Sequence, residues 1–197
     1  MRDERRDIRE LLGQLTAEQW QQPSRCAGWT VRDLVAHLVG WDQLLIYRSP
    51  REHVNALARF IVLYASSLGS MKLLNRRIQR TLSHLEPEEL AQQFGADDTA
   101  ELKWLFDGTN PGAHLAEYVI HHEDIRRPLG LARPVPTGRL IAALDGITQL
   151  PSVRLSAWRR LRRNTFDATD VDWTAGRRPA LRMTADQILT TLAGRSV

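Results

Sequence analysis

The sequence predicts a mainly α protein, a helical bundle with a small α+β appendage at its C-terminus. Apolar residues recur at spacings of three and four from the N-terminus to about Arg163, the period of helices that bury one face. Thr30 and Asp33 form the capping-box pattern that starts a helix, and Thr184 stands where a cap would start the last one. Beyond Asn164 the apolar period shortens toward two, as in strands. The expected division is residues 1–150 as the bundle and 151–197 as the C-terminal segment.

With 197 residues and 43% hydrophobic content, the chain can bury a core of ordinary size without covalent staples. Its single cysteine, Cys26, excludes an internal disulfide and a cysteine-rich zinc cluster, and points to a reducing, cytoplasmic setting. The N-terminal run MRDERRDIRE is charged where a signal peptide is apolar, and the apolar runs are too short to span a bilayer, so no membrane partner is expected. The formal charge of +4 is carried almost wholly by arginine, Lys72 and Lys103 being the lysines. Acidic residues are interspersed among the arginines. The densest basic cluster, Arg159, Arg160, Arg162 and Arg163, has only Trp158 beside it and fits a solvated helix end, so no nucleic-acid partner is expected.

Taken in order, Ile8, Leu11, Leu12, Leu15 and Trp20 mark a first amphipathic helix from Arg2 to about Gln21, with a charged outer face. Pro23, Ser24 and Gly28 interrupt it. A second helix runs from Val31 to about Tyr47, its apolar stripe made of Leu34, Leu38, Trp41 and Leu45. His37 falls on that stripe, either as a packed core histidine or as a ligand facing a partner helix. Two further helical stretches follow Ser49-Pro50, one from Val54 to Leu63 and one from Met71 to Leu85, with His53 and His84 near their polar ends. Residues 86–112 read as a connection with short helical turns around Pro87–Gln93 and Thr99–Phe106. A helix then begins at Pro111, where the missing N–H costs nothing, and ends before Pro128. Helices over Thr137–Leu150 and Val153–Arg163, strands around Thr165–Trp173 and Ala180–Met183, and a last helix closed by Gly194 complete the chain.

The helix from Pro111, PGAHLAEYVIHHEDIRR, concentrates the chemistry. Glu117 and His121 lie four apart and so share a face, about 6 Å apart along the axis, close enough for a carboxylate oxygen and an imidazole nitrogen to meet on one cation. Alone, that spacing also describes an ordinary contact on a solvated helix. A third ligand would have to come from elsewhere. His114 returns to the same face roughly 10 Å away, too far for bonds of about 2 Å. Asp124 can hydrogen-bond a ligand imidazole or pair with Arg126 or Arg127, and His122 points away from the Glu117 face. Cys26 has no CxxC partner and reads as structural.

The block CAGWTVRDLVAHL (26–38), with LTAEQW (15–20) before it, resembles the N-terminal domain of mycothiol-dependent maleylpyruvate isomerases, within the wider DinB-like metalloprotein superfamily. The resemblance continues through EYVIHHEDIRRPLG (117–130), ATDVDW (168–173) and LAGR (192–195). It implies a DinB-like four-helix bundle in which His37, Glu117 and His121 bind one divalent metal. Zinc is the expected ion, with nickel, iron or manganese as alternatives. Three protein ligands leave a coordination position open, as in catalytic rather than structural zinc sites. The implied activity is a mycothiol-dependent transferase or isomerase, in which a metal-activated thiolate attacks a small electrophile. The alternative is a non-catalytic metal-binding bundle that binds a ligand or protein partner. Departures from the family pattern are the short C-terminal segment, Gly176-Arg177-Arg178-Pro179 in place of a Gly-Pro-rich turn, and His122 after the ligand histidine. The chain is expected as a monomer or homodimer, with Asp124 a candidate to support a ligand imidazole or a substrate group from behind.

Overall fold

Helices account for most of the computed structural model, which describes residues 1–95, 103–104, 111–149, 154–176 and 180–195. The chain is mainly α, with a small three-stranded sheet near the C-terminus. It falls into two compact units, Arg2–Gly108 and Thr109–Val197, the latter with Met1. Among the described residues no single helix is long and apolar enough to cross a membrane.

The first unit opens with α1 (Arg2–Leu12) and α2 (Ala17–Gln21), where the apolar period suggested one helix. The break has a local cause. The Gln19 N–H donates to the Thr16 hydroxyl, and the Gln19 side chain accepts from the Thr16 N–H, so a new helix starts at a complete capping box. Helix α1 buries Ile8, Leu11 and Leu12, and with them Glu4 and Arg5. Arg5 pairs with Asp42 and lies over the Phe94 ring at 5.1 Å, so its guanidinium is matched by charge on one side and by a π face on the other.

Helix α3 (Val31–Leu45) is the element on which this unit assembles, with α2, α4 (Pro50–Ser66), α5 (Met71–Thr81) and α6 (Pro87–Gln93) against it. Val31, Leu34, Val35, Leu38 and Val39 are buried on it, and Leu74, Ile78 and Leu90 are buried on the helices it meets. It ends two residues earlier than its apolar pattern suggested. Ile46–Tyr47 (β1) instead pairs antiparallel with Lys103–Trp104 (β2), where helical turns were expected, and the rest of 96–110 lies outside the described residues.

The second unit is built on α7 (Pro111–Arg126) and α8 (Thr137–Gly146), which lie in close contact. A Cβ on Gly146 would sit 1.9 Å from the Gly112 carbonyl carbon, so glycine is required where the two backbones meet. The 3-10 turn Ile147–Gln149 and α9 (Arg154–Arg163) follow. Then come β3 (Thr165–Ala168), β4 (Thr174–Ala175), β5 (Ala180–Met183) and α10 (Ala185–Leu192). The sheet order is β4-β3-β5, and β5 runs parallel to β3 rather than simply turning back on it. Val119, Leu144, Ile147, Phe166, Ile188 and Leu192 form the core of this unit.

Two members of the ATDVDW block fasten it structurally. The Trp173 indole N–H donates to Asp145 at 2.9 Å, and Asp170 accepts the Ala185 N–H at 2.7 Å at the start of α10. The Arg177-Arg178-Pro179 turn lies outside the described residues.

Candidate metal centre

In the first unit, the sequence around His37 acts as one positioning device. The Trp29 N–H donates to the Cys26 carbonyl at 2.9 Å, closing a four-residue turn whose third member, Gly28, has φ +79°. A side chain at that position would be strained. The turn delivers Thr30, which bridges antiparallel to Pro23, and Thr30 and Asp33 complete the capping box of α3. One turn further on, His37 is buried, with the Trp29 ring at 5.1 Å and the Trp41 ring at 6.2 Å edge-on. Trp41 is itself fixed by an indole hydrogen bond to Asn75 at 3.0 Å. The imidazole therefore sits between two indoles held by separate parts of the unit.

In the second unit, α7 is buried nearly all round, which is unusual for a helix carrying so many polar groups. His121, His122, Glu123 and Asp124 are all buried on it. Such groups are costly unless paired, and each has partners. The His121 Nε2 lies 3.1 Å from Glu117 Oε1, and its Nδ1 lies 3.0 Å from Asp124 Oδ2. Arg195 donates to Asp124 through Nη2 at 2.9 Å and through Nε at 3.1 and 3.2 Å. Arg126 Nε donates to His122 Nε2 at 2.7 Å, and Arg133 lies 2.7 Å from His122 Nδ1. Glu123 pairs with Arg127, which also reaches Asp186.

Electrostatics separates the two neighbouring acids. Burial works against ionisation of Asp124, but the hydrogen bonds and charges of His121 and Arg195 outweigh it and hold the carboxyl well below the usual carboxylate range. For Glu123, burial is the larger effect and pushes the carboxyl up, against the opposing pull of Arg127 and Arg133. Asp124 is thus a fixed negative charge behind His121.

The Glu117–His121 pair fits a cation. Ligand atoms around a tetrahedral ion with bonds of 2.0–2.1 Å are roughly 3.3 Å apart, close to the 3.1 Å seen between these two atoms. A ring protonated on Nδ1 donates to Asp124 and turns its Nε2 lone pair to the Glu117 side, the orientation a metal ligand needs. Glu117 is the more exposed of the two, which leaves the pair open on one side.

The structure therefore brings Glu117, His121 and Asp124 together on α7 and sets His37 in an indole cage on α3. His122 is a packed residue between two arginines, and Cys26 is a buried turn residue. His53, near the polar end of its helical stretch, is half-buried and stacks on Tyr47 at 4.5 Å. Arg195 stood in the sequence only as part of a resembling block. Its pairing with Asp124 spans 71 positions, and no local spacing signals such a contact.

Compared with known proteins, the chain matches the family described as mycothiol maleylpyruvate isomerase N-terminal domain over residues 1–126. No curated protein and no solved structure matches it. The matched span holds His37, Glu117, His121 and Asp124, and it ends at the last residue of α7.

Proposed function

The chain belongs to the mycothiol maleylpyruvate isomerase N-terminal domain family, and from that premise we propose that His37, Glu117 and His121 hold one divalent metal for thiol-dependent chemistry. The observation that carries this reading is the line Glu117, His121, Asp124, Arg195. A carboxylate and an imidazole nitrogen stand at metal-ligand spacing, and a buried, ionised acid stands behind the ring. The third ligand is His37, whose imidazole is aimed by the Gly28 turn and the two indoles. On this reading residues 1–150 work as the metal-binding bundle and 151–197 as its appendage.

His37, Glu117 and His121 would hold the ion, which would supply stabilisation of the thiolate form of a thiol. The chain's own residues do the rest. Asp124 fixes the tautomer and direction of His121, and Arg195 keeps Asp124 ionised and in place. Trp29 and Trp41 keep the His37 side apolar, which strengthens charge interactions there. The co-substrate is mycothiol or a similar low-molecular-weight thiol, whose sulfur attacks an electrophilic carbon of a small substrate before transfer or isomerisation. A reducing cytoplasm, where such a thiol persists, is the compartment this chemistry requires.

Elemental analysis of the purified chain should find one divalent metal per chain, and addition of thiol should give turnover with an electrophile panel. His37→Ala and His121→Ala should each lose the metal and the turnover together. Full metal content in both variants would overturn the ligand set. Metal binding without turnover on any electrophile would overturn the enzymatic reading and leave a binding bundle.

A further inference from the structure

Helix α4 departs from the pattern of the rest of the first unit. Its inner seam is short of large side chains, with Ala56 buried and Phe60 against Trp41 at 6.4 Å. Beside that seam runs a second apolar row, Val54, Leu57, Ile61 and Tyr64, spaced three, four and three, and it faces solvent, with Leu68 exposed just beyond the helix end. Val54 is 65% exposed, Ile61 55% and Leu68 87%, with Val62 adjoining them. A helix apolar on more than its core face is expected to have a second partner. Leu68 adds an independent observation. It follows the helix at φ +52°, in the left-handed region, where glycine is the usual residue. The chain thus accepts backbone strain to hold a leucine side chain out in water, and strain of this kind marks functional positions.

We propose that this face is a homodimer interface in which α4 packs antiparallel on α4 of a second copy, about a twofold axis at Ile61. The three-four spacing is that of a helix-pairing seam rather than of a single amphipathic face. It is also self-complementary. Pairing about Ile61 sets Leu57 against Tyr64 of the second copy and brings Val54 toward the helix end beside which Leu68 stands exposed. Charge permits it, because Arg59 is the one charged residue between Val54 and Leu68, and it lines a polar pocket with Arg5, Asp42 and Glu52 rather than standing in the row. No like charges then meet across the axis, and antiparallel helices also oppose their dipoles favourably. The area is adequate. The row, Leu68 and Val62 expose on the order of 650 Å², against about 800 Å² per partner in a standard interface and at the upper end of the roughly 300–600 Å² of the largest patch on a typical monomer. A membrane-lying helix would be expected to carry several lysines and arginines along the edges of the apolar face, whereas α4 has no lysine and two arginines, Arg51 and Arg59.

The test uses the full chain in analytical ultracentrifugation. The wild type should sediment at twice its 22.5 kDa chain mass. Ile61→Glu, which sets two carboxylates together on the axis, should weaken the dimer by at least about a hundredfold while leaving helicity and metal content unchanged. Ile61→Cys should form an intermolecular disulfide on mild oxidation, whereas the parent chain, with its buried Cys26, should not. A monomeric wild type, or a dimer that persists in Ile61→Glu and does not crosslink through Ile61→Cys, overturns the proposal. Wild-type binding to phosphatidylcholine–phosphatidylserine vesicles that Ile61→Glu abolishes also overturns it, and assigns the face to a membrane surface instead.

Discussion

Asp124 is the most informative single residue, because burial should have kept it neutral and its neighbours keep it ionised. A carboxyl whose folded pKa is depressed contributes stability that is fully present above its unfolded value, about 3.9, and is lost as pH falls through the folded value. In the metal-free chain, the urea midpoint of Asp124→Asn should therefore depend less on pH than that of the wild type below about pH 4, with parallel profiles above it. The same substitution removes the acceptor that orients His121. Zinc affinity, measured by chelator competition, should fall about 10- to 100-fold, the usual cost of losing a residue that orients a ligand histidine. Arg195→Ala leaves Asp124 buried with fewer partners and should cost roughly 1.5–3 kcal/mol in urea unfolding at neutral pH. Equal stability of this variant and the wild type would mean that the pair is incidental.

At the scale of elements, one close approach and one cap decide where helices lie. Gly146→Ala puts a methyl group into the backbone of α7, where there is no flexible side chain to move aside. It should cost about 1–3 kcal/mol or more, read as a lower thermal midpoint, with the largest loss of hydrogen-exchange protection in α7 and α8. Thr30→Ala removes the α3 cap and should cost about 1 kcal/mol. These elements also show what the chain reveals before it is folded. The start of α3 and the limits of α7 were legible because Thr30-x-x-Asp33, Pro111 and Pro128 are local signals. The Thr16-x-x-Gln19 cap carries the same kind of signal, but the apolar row from Ile8 to Trp20 runs through it and suggests one continuous helix. The parallel pairing of β3 with β5, the β1–β2 ladder, the Arg5–Asp42 pair and the Arg195 contact all join positions far apart in sequence. Periodicity carries no information about such joins. Of the candidate site, the Glu117–His121 spacing was readable from helix geometry alone. Its place on the apolar stripe of α3 made His37 a candidate, and the family resemblance favoured the ligand over the packed core histidine.

At the scale of the whole molecule, the two proposals predict separable dependences of stability. A metal that binds the folded chain and not the unfolded one stabilises it by about 2.7 kcal/mol when free metal is 100 times the dissociation constant. For a chain of this length each kcal/mol raises the thermal midpoint by about 2–4 °C, so saturating zinc should raise it by roughly 5–11 °C. His37→Ala, Glu117→Ala and His121→Ala should each abolish most of that rise at the same zinc concentration, whereas Ile61→Glu should leave it intact. Association gives a different signature, a midpoint that climbs with chain concentration in the wild type and becomes flat in Ile61→Glu. Calorimetric scans over both concentrations therefore test the metal ligands and the α4 face independently. A zinc-induced rise of full size in His37→Ala would remove that residue from the ligand set without touching Glu117 and His121, because the pairing of those two rests on α7 alone.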